Sequence, residues 1–451
     1  MTEIPQDVKL VLEALEAAGC EAWCVGGCVR DLRLGRTPGD WDVTTNALPE
    51  QTLALFGDRA TPTGLQHGTV TVRTPERAVE ITTFRRDGDY RDHRRPEQVT
   101  FTTSLQEDLS RRDFTVNAMA MDLRGTFRDP FGGTADLEAG ILRCVGEPDR
   151  RFREDALRMM RGLRFAADLA FSIEPRTAEG IHRCAALLAQ IAPERIRVEL
   201  TKLLTGRGAA EVLRAYPDVL GVFWPEILPM VGLDQRNRHH CYDVWEHTLH
   251  ALAVSPADIT VRYTMLLHDI GKPACMRLDE AGRGHFRGHP AESARMADQM
   301  LRRLRFDNQT RERIVRLVEW HDRPIVPEYP AVRRCLRALG EEELRKLLVV
   351  KRADNLAQAP AYQDRQREVA QVEAILDRLV EEDACVSLRQ LAVSGRDLLA
   401  LGYVGAAIGQ ELERLLDAVV EGVLPNERAK LLKRAQEDWK FFPQIENTEK
   451  R

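Results

Sequence analysis

Short runs in which apolar and polar residues alternate fill the first 140 positions: "AWCVGG" (22–27), "DWDVTT" (40–45), "GTVTVRT" (68–74) and "AVEITTFRR" (78–86), followed by "NAMAMDLRGTFRDPFGG" (117–133). A period of two, bounded by glycine, proline and aspartate, is the signature of strands, so a sheet with a few helices is predicted there. From about residue 150 the apolar spacing changes to three and four, as in "DALRMMRGLRFAADLAF" (155–171) and "RIRVELTKLL" (195–204), and helix is predicted from there on. "DPFGG" (129–133) and "FWPEILPMVG" (223–232) read as hinges. Eight of the 11 histidines lie between His239 and His321, which marks a separate middle domain. The polar end "QIENTEKR" (444–451) reads as frayed.

Composition narrows this picture. A chain of 451 residues is too long for one core, and 43% hydrophobic, 30% charged and 6% aromatic residues describe a helix-rich globular protein. No apolar stretch approaches the roughly 20 residues that cross a bilayer, and "MTEIPQDVK" lacks the basic and apolar regions of a signal peptide, so a cytoplasmic protein with no membrane partner is expected. Nine cysteines without a CxxC pair are not a disulfide framework; Cys20, Cys24 and Cys28 are expected to be buried free thiols rather than a zinc site. The net charge of −5 argues against nucleic acid only weakly, because binding depends on local patches, and Arg143, Arg150, Arg151, Arg153, Arg158, Arg161 and Arg164 form one.

Candidate chemistry begins at "GDWDVTT". On a strand, Asp40 and Asp42 share a face while Trp41 turns to the core, and two convergent carboxylates suit Mg²⁺ shared with a substrate's phosphates. An exposed loop is the alternative for DxD by itself. Upstream, "VGGCVRD" (25–31) follows an apolar run; its glycines, Gly27 among them, let backbone N–H groups approach a phosphate, and Arg30 can pair with one. Glu80 on a neighbouring strand is a candidate third carboxylate. "RRDFTVNAMAMD" places Arg111, Arg112 and Asp113 together, and paired arginines can grip a triphosphate.

Six motifs in order, "GGCVRD", "GDWDVTT", "RRDFTVNAMA", "DPFGG", "EDALRMMRGLRF" and "ERIRVEL", cover roughly residues 20 to 205 and together resemble the class II tRNA nucleotidyltransferases of the polymerase β superfamily, best known from bacterial CCA-adding enzymes. The resemblance implies an α+β fold: a nucleotidyltransferase head with a small mixed sheet and the metal-binding aspartates, then an all-α neck that selects the nucleotide, a body, an HD domain and a tail that holds tRNA. The expected boundaries are 1–140 for the head, 141–235 for neck and body, 236–360 for the HD domain and 361–451 for the tail. On a regular helix Asp155 and Arg158 stand ~60° apart and can face one base edge, accepting from the exocyclic amine of cytosine or adenine and donating to its ring. Uracil and guanine would set a carbonyl against the carboxylate, which selects CTP and ATP without a template. Arg161 and Arg164, at ~120° and ~180°, are then left for triphosphate or tRNA, although the family resemblance places Arg158, Arg161 and Arg164 all near the nucleotide. The polar stretch 84–101 is expected to be a mobile loop; the resemblance makes it a lever for adding the last A, with His93 where many relatives carry glycine. Glu194 and Arg195 are expected to be structural.

"YDVWEHTLHAL", "LLHDIGKP", "FRGHP", "VEWHD" and "KRADN" present His247, His268, Asp269, His289, His321 and Asp354. The pattern resembles the HD metal-dependent phosphohydrolases, and imidazole with carboxylate fits a transition metal. His239, His240, His250 and His285 are read as ordinary. Residues 391–432 are similar to the tail of HD-containing bacterial tRNA nucleotidyltransferases; their glycines suit either RNA approach or helix caps. The expectation is therefore an enzyme that adds CCA to tRNA from CTP and ATP with Mg²⁺, with the HD domain left open between an additional metal-dependent phosphohydrolase activity and an inactive scaffold. The alternatives are a poly(A) polymerase or A-adding enzyme, an HD phosphohydrolase with an RNA-binding head, and a non-catalytic tRNA-binding protein. Oligomeric state is left open by the sequence.

Overall fold

The computed structural model describes residues 3–88, 99–363 and 365–439. His93, most of the predicted mobile loop, and "QIENTEKR" lie outside the described residues. The chain divides into two compact units. The first runs to Leu233 and takes in Ala257–Arg262 and Gln299–Asn308; the second holds Asp234–Pro256, Tyr263–Asp298 and the chain from Gln309 on.

The first unit opens with α1 (Gln6–Ala17), β1 (Ala22–Val25), α2 (Gly27–Arg33), β2 (Asp42–Thr45), α3 (Pro49–Phe56), β3 (Ala60–Gly64), β4 (Thr69–Arg73) and β5 (Ala78–Thr83). A ladder of β6 (Arg85–Asp87) with β7 (Val99–Phe101) follows, then α4 (Leu105–Ser110), β8 (Ala120–Met121), β9 (Phe127–Arg128) and α5 (Gly133–Ala139). The sheet is mixed, in the order β3-β4-β5-β2-β1-β8-β9, with β2 and β5 parallel and the other neighbours antiparallel. Burial follows the predicted period: Val70, Val72, Val79 and Ile81 are fully buried, while Glu80 between them is exposed. The sequence pattern missed β3, a sheet edge whose "ATPTG" has no alternation to read and where proline is tolerated, and it missed the ladder of β6 and β7, which pairs the described ends of the stretch 84–101 expected to be a mobile loop. "DPFGG" is a helix start: both carboxylate oxygens of Asp129 accept N–H groups, from Gly133 and Thr134, at the head of α5.

The first unit continues with a two-stranded pair, β10 (Ile141–Leu142) and β11 (Ser172–Ile173), and with helices α6 (Pro148–Glu154), α7 (Leu157–Leu169), α8 (Pro175–Cys184), α9 (Pro193–Thr205), α10 (Ala209–Ala215) and α11 (Pro217–Gly221). Leu157, Met159, Met160, Leu163 and Ala166 make α7 a core helix packed on α9. Gly162 is needed there, since a Cβ would lie 2.8 Å from the Phe114 ring.

The second unit contains α12 (Val244–Val254), α13 (Ile259–Leu267, shared with the first), α14 (Lys272–Cys275), a small hairpin of β12 (Arg277–Leu278) and β13 (Gly284–His285), and α15 (His289–Arg303, also shared). It continues with α16 (Asn308–Trp320), α17 (Tyr329–Leu339), α18 (Glu341–Leu356) and α19 (Arg365–Glu381), which close on Leu317, Leu344, Leu348 and Leu376. The helices α20 (Gly395–Ala400), α21 (Ala406–Val420) and α22 (Arg428–Trp439) close on Leu398, Tyr403, Leu415 and Leu431. Gly395 and Gly405 stand at the starts of α20 and α21, which accounts for them as helix ends. Among the described residues no helix is long and apolar enough to cross a membrane.

Candidate functional site

In the first unit a cavity of about 520 Å³ is lined by Gly27, Arg30, Asp40, Asp42, Arg111, Arg112, Asp113, Asp155, Arg158, Arg161 and Arg164, so residues far apart in the chain meet in one place. Sheet register places the carboxylates. Val25 pairs with Asp42 across β1 and β2, and Asp42 pairs with Glu80 across β2 and β5. Trp41, only 2% exposed, holds the start of β2 in the core. Asp40 lies in a bend before the strand rather than on it, so its approach to Asp42 comes from the turn and not from strand alternation. Enclosure pushes Asp42 above the ordinary carboxylate range; Arg112 pulls it down while Glu80 and Asp40 push it further up. Mutually repelling carboxylates are a donor set that a hard divalent cation satisfies.

The turn after β1 brings backbone to this point. Gly26 has φ +76°, and a Cβ there would stand 3.1 Å from Arg112 Nη1. Arg112 and Arg111 are both aimed by Asp108, a fully buried carboxylate that the sequence reading overlooked. Arg111 donates to Asp108 Oδ1 at 2.9 and 2.7 Å, Arg112 to Oδ2 at 3.4 Å, and Thr44 Oγ1 donates to Oδ2 at 3.1 Å. Its signal was present: a carboxylate three and four residues ahead of two arginines on one helical turn. Arg30 donates to Asn117 Oδ1 at 2.8 Å, and Phe165 lies under Arg30, Arg161 and Arg164 at 5.2, 5.4 and 4.1 Å.

The chain departs from the regular helix expected across 155–164. α6 ends at Glu154, Asp155 has φ −136° and ψ 104°, and α7 starts at Leu157. Asp155 itself causes the break: its Oδ1 accepts the Leu157 N–H at 3.1 Å in the manner of an N-cap, and its Oδ2 faces Arg195 at 3.6 Å. The azimuths counted from Asp155 therefore do not apply, and Arg158, Arg161 and Arg164 repeat every three residues along α7 and all line the cavity with Asp155. Each is held. Arg158 donates to Glu154 at 2.9 Å and to the Arg111 carbonyl at 3.0 Å, Arg161 to Asp113 at 2.7 Å, and Arg164 pairs with Glu199 at 3.0 Å. Asp113 is buried, but Arg161 beside it holds its carboxyl down at about 2 against the cost of burial. Much of the basic patch read at 143–164 is thus turned onto carboxylates, with Arg143 on Asp136 and Arg150 and Arg151 on Glu154.

In the second unit, His247, His268 and Asp354 bring ligand atoms within 4.8 Å of one another, as do Asp269, His289 and His321. Asp269 joins the two groups: Oδ2 lies 3.5 and 3.2 Å from the Nε2 atoms of His247 and His268, and Oδ1 lies 3.3 and 3.8 Å from those of His289 and His321. Every Nδ1 meets a backbone carbonyl, of Ala357, Met265, Phe286 and Val318 respectively. A carbonyl only accepts, so each Nδ1 carries a hydrogen and each Nε2 points inward, where, against the cost of burial, Asp269 and Asp354 push His268 up to about 10 and a metal ion would take the place of a proton. The Nε2 atoms of His247 and His268 lie 3.4 Å apart, and those of His289 and His321 3.2 Å. Four converging imidazoles with two carboxylates form a cluster compatible with metal binding.

A cavity of about 830 Å³ opens over this cluster, lined by Arg236, Arg238, Arg283, Arg287 and Lys272. His239, His240 and His285, read from sequence as ordinary, also line it; His250 instead stacks on Tyr242 at 4.1 Å. Lys272, overlooked in "HDIGKP", places Nζ 2.7 Å from Asp269 Oδ2 and 2.9 Å from Gln235 Oε1. Every described cysteine is a free thiol, with Cys24 and Cys28 buried and Cys20 only partly so.

Three family models match the chain in order: Poly A polymerase head domain over 22–143, the probable RNA and SrmB-binding site of polymerase A over 170–216, and HD domain over 238–359. The CCA-adding enzyme of Geobacillus thermodenitrificans is 54% identical over 203 residues, 45% of this chain and 50% of that protein. That of Leuconostoc mesenteroides is 44% identical over 261 residues, 55% of this chain and 64% of that one. The matched part thus spans about half to two thirds of the length of these curated relatives. Among solved structures, the Bacillus stearothermophilus CCA-adding enzyme in complex with CTP is 32% identical with a TM-score of 0.75, and the match covers 98% of this chain and 99% of that one. By these matches, and by the mixed-sheet head followed by helical domains, the chain belongs to the bacterial CCA-adding enzymes, class II nucleotidyltransferases of the polymerase β superfamily, in a form that carries an HD domain.

Proposed function

We propose that this protein adds CCA to the 3′ end of tRNA from CTP and ATP, without a nucleic-acid template. The observation that carries the reading is the single cavity in which Asp40 and Asp42 face the arginines of α7 and the Asp155 carboxylate. Asp40 and Asp42, with Glu80 alongside, are the residues that would hold Mg²⁺, which when bound lowers the pKa of the tRNA 3′ hydroxyl and steadies departing pyrophosphate. Arg111 and Arg112, aimed by Asp108, take the triphosphate, and Arg30 and the Gly26–Gly27 turn support it. The hydroxyl attacks the α-phosphorus, a new P–O bond forms, and the bond to pyrophosphate breaks. Asp155 and Arg158 read the base edge: the carboxylate accepts from an exocyclic amine and the guanidinium donates to the ring, which admits cytosine and adenine. Because Asp155 stands at a helix break, the pair converges on the cavity from two segments rather than along one helix. A cytoplasmic location goes with these substrates.

Purified protein incubated with tRNA lacking its 3′ end and each nucleotide separately tests the reading. CTP followed by ATP extends the tRNA by three nucleotides; incorporation of ATP alone, without any use of CTP, refutes it in favour of an A-adding or poly(A) enzyme.

The His and Asp cluster supports a second activity in the same chain, a metal-dependent phosphohydrolase. The basic wall of its cavity suits a phosphate ester, and a bound metal ion would supply an activated water. Substituting His268 by alanine removes phosphate release while nucleotide addition is unchanged; loss of both together refutes two separate centres.

A further inference from the structure

Resting on the reading of the His and Asp cluster as a two-metal centre, we propose that Lys351 is a positioning residue that creates the second metal position by fixing His321. The two halves of the centre come from different segments. His321 follows the last residue of α16, and Asp354 lies on α18. Lys351, one turn before Asp354 on that helix, donates Nζ–H to the His321 carbonyl at 2.7 Å and to the Arg323 carbonyl at 2.6 Å. These carbonyls lie just beyond the end of α16, where chain direction changes and no intrahelical N–H is available to them. One ammonium therefore ties the backbone of a ligand in the Asp269–His289–His321 group to the helix that supplies Asp354 to the other group. The His321 Nδ1 bond to Val318 fixes the tautomer and one rotation of the ring; the Lys351 bonds fix where the ring's own backbone sits. The first group does not depend on this tie in the same way, since His247 and His268 sit within or beside α12 and α13 and bond Ala357 and Met265, and Asp354 is placed by the α18 backbone itself.

The consequence is asymmetric. Removing the ammonium frees the 321–323 backbone and loosens the second position, while the first keeps its full ligand set. Loss of a group that orients a metal ligand typically lowers metal affinity by about 10- to 100-fold. A purely structural lysine would lower stability without separating the two positions.

The experiment titrates Mn²⁺ by calorimetry into metal-free, full-length protein carrying Asp40→Ala and Asp42→Ala, which removes the carboxylates of the first unit from the count. The parent binds two equivalents. Lys351→Met binds the first with unchanged affinity and the second at least ~10-fold more weakly, and Lys351→Arg, which keeps the charge and a reach to both carbonyls, restores the second. Thermal unfolding of the metal-free proteins accompanies the titration, and if Lys351→Met fails to fold, Lys351→Gln takes its place. Two equivalents of unchanged affinity in a folded Lys351→Met or Lys351→Gln protein overturn the role of Lys351 alone. A parent that binds no Mn²⁺ overturns the two-metal reading and this inference with it.

Discussion

Replacing Asp113 with asparagine keeps the shape of a buried side chain and removes one charge, which reports the net contribution of that charge: the cost of burial against the gain from Arg161, Arg158 and the Asn117 hydrogen bond. Asp113 is 7% exposed, and its carboxyl is held at about 2 rather than 3.8. That depression corresponds to about 2 kcal/mol of stability at neutral pH, because the folded state binds its proton less readily than the unfolded state. The sign follows from the direction: a depressed acid stabilises the fold above its unfolded value, and the contribution disappears as pH falls through the folded value. The Asp113→Asn protein should therefore unfold in urea with a deficit of about 2 kcal/mol between pH 5 and 7, shrinking to roughly half that at pH 3. Arg161, left beside a neutral amide, should also bind added triphosphate differently, so the midpoint is measured without and with CTP. Equal stability at pH 7, or a deficit that grows as pH is lowered, would refute the reasoning.

Other outcomes follow from the same geometry. Asp42→Ala should lower nucleotide addition by more than ~100-fold with little change in folding, since the side chain stands at the cavity wall; primer-extension rates check this. Asp155→Ala should narrow the preference for CTP over UTP by about 10-fold, the cost of one unpaired buried group, measured as a ratio of kcat/KM values. Asp108→Ala leaves two half-buried arginines without their shared carboxylate, which should destabilise the protein by about 3 kcal/mol and raise KM for both nucleotides.

What the sequence made legible was periodicity and local charge. The alternation in "AVEITT" set Glu80 opposite the buried Val79 and Ile81, and "RRD" put three charged groups in one short turn. The break at Asp155 was hidden because "EDALRMMRGLRF" has helix-forming residues on both sides; the interruption comes from one side chain capping the next helix and from Arg195, forty residues away. Asp108 and Glu199 escaped notice because each works by facing an arginine that only folding brings near, or that only a helical turn aligns. The joining position of Asp269 was equally invisible: "HD" names two neighbours, but the two oxygens of one carboxylate face different histidine pairs drawn from α12, the end of α13, α15 and the end of α16. The histidines dismissed at 239, 240 and 285 share a sequence neighbourhood with arginines, and it is that basic company, rather than the imidazoles, that signals a cavity wall.

The parallel pairing of β2 with β5 has an evolutionary corollary. Between Thr45 and Ala78 the chain forms α3 and then β3 and β4, which extend the same sheet on the far side of β5, before β5 returns beside β2. The turns that join these elements are free to vary in length, since the distance from Asp42 to Glu80 is set by one interstrand step and not by the chain between them, whereas β4 is held by its pairing with β5 and by the buried Val70 and Val72. Insertions should thus accumulate in these turns among related proteins, whereas a single residue added inside β2 or β5 would exchange the faces of the strand and turn a carboxylate into the core.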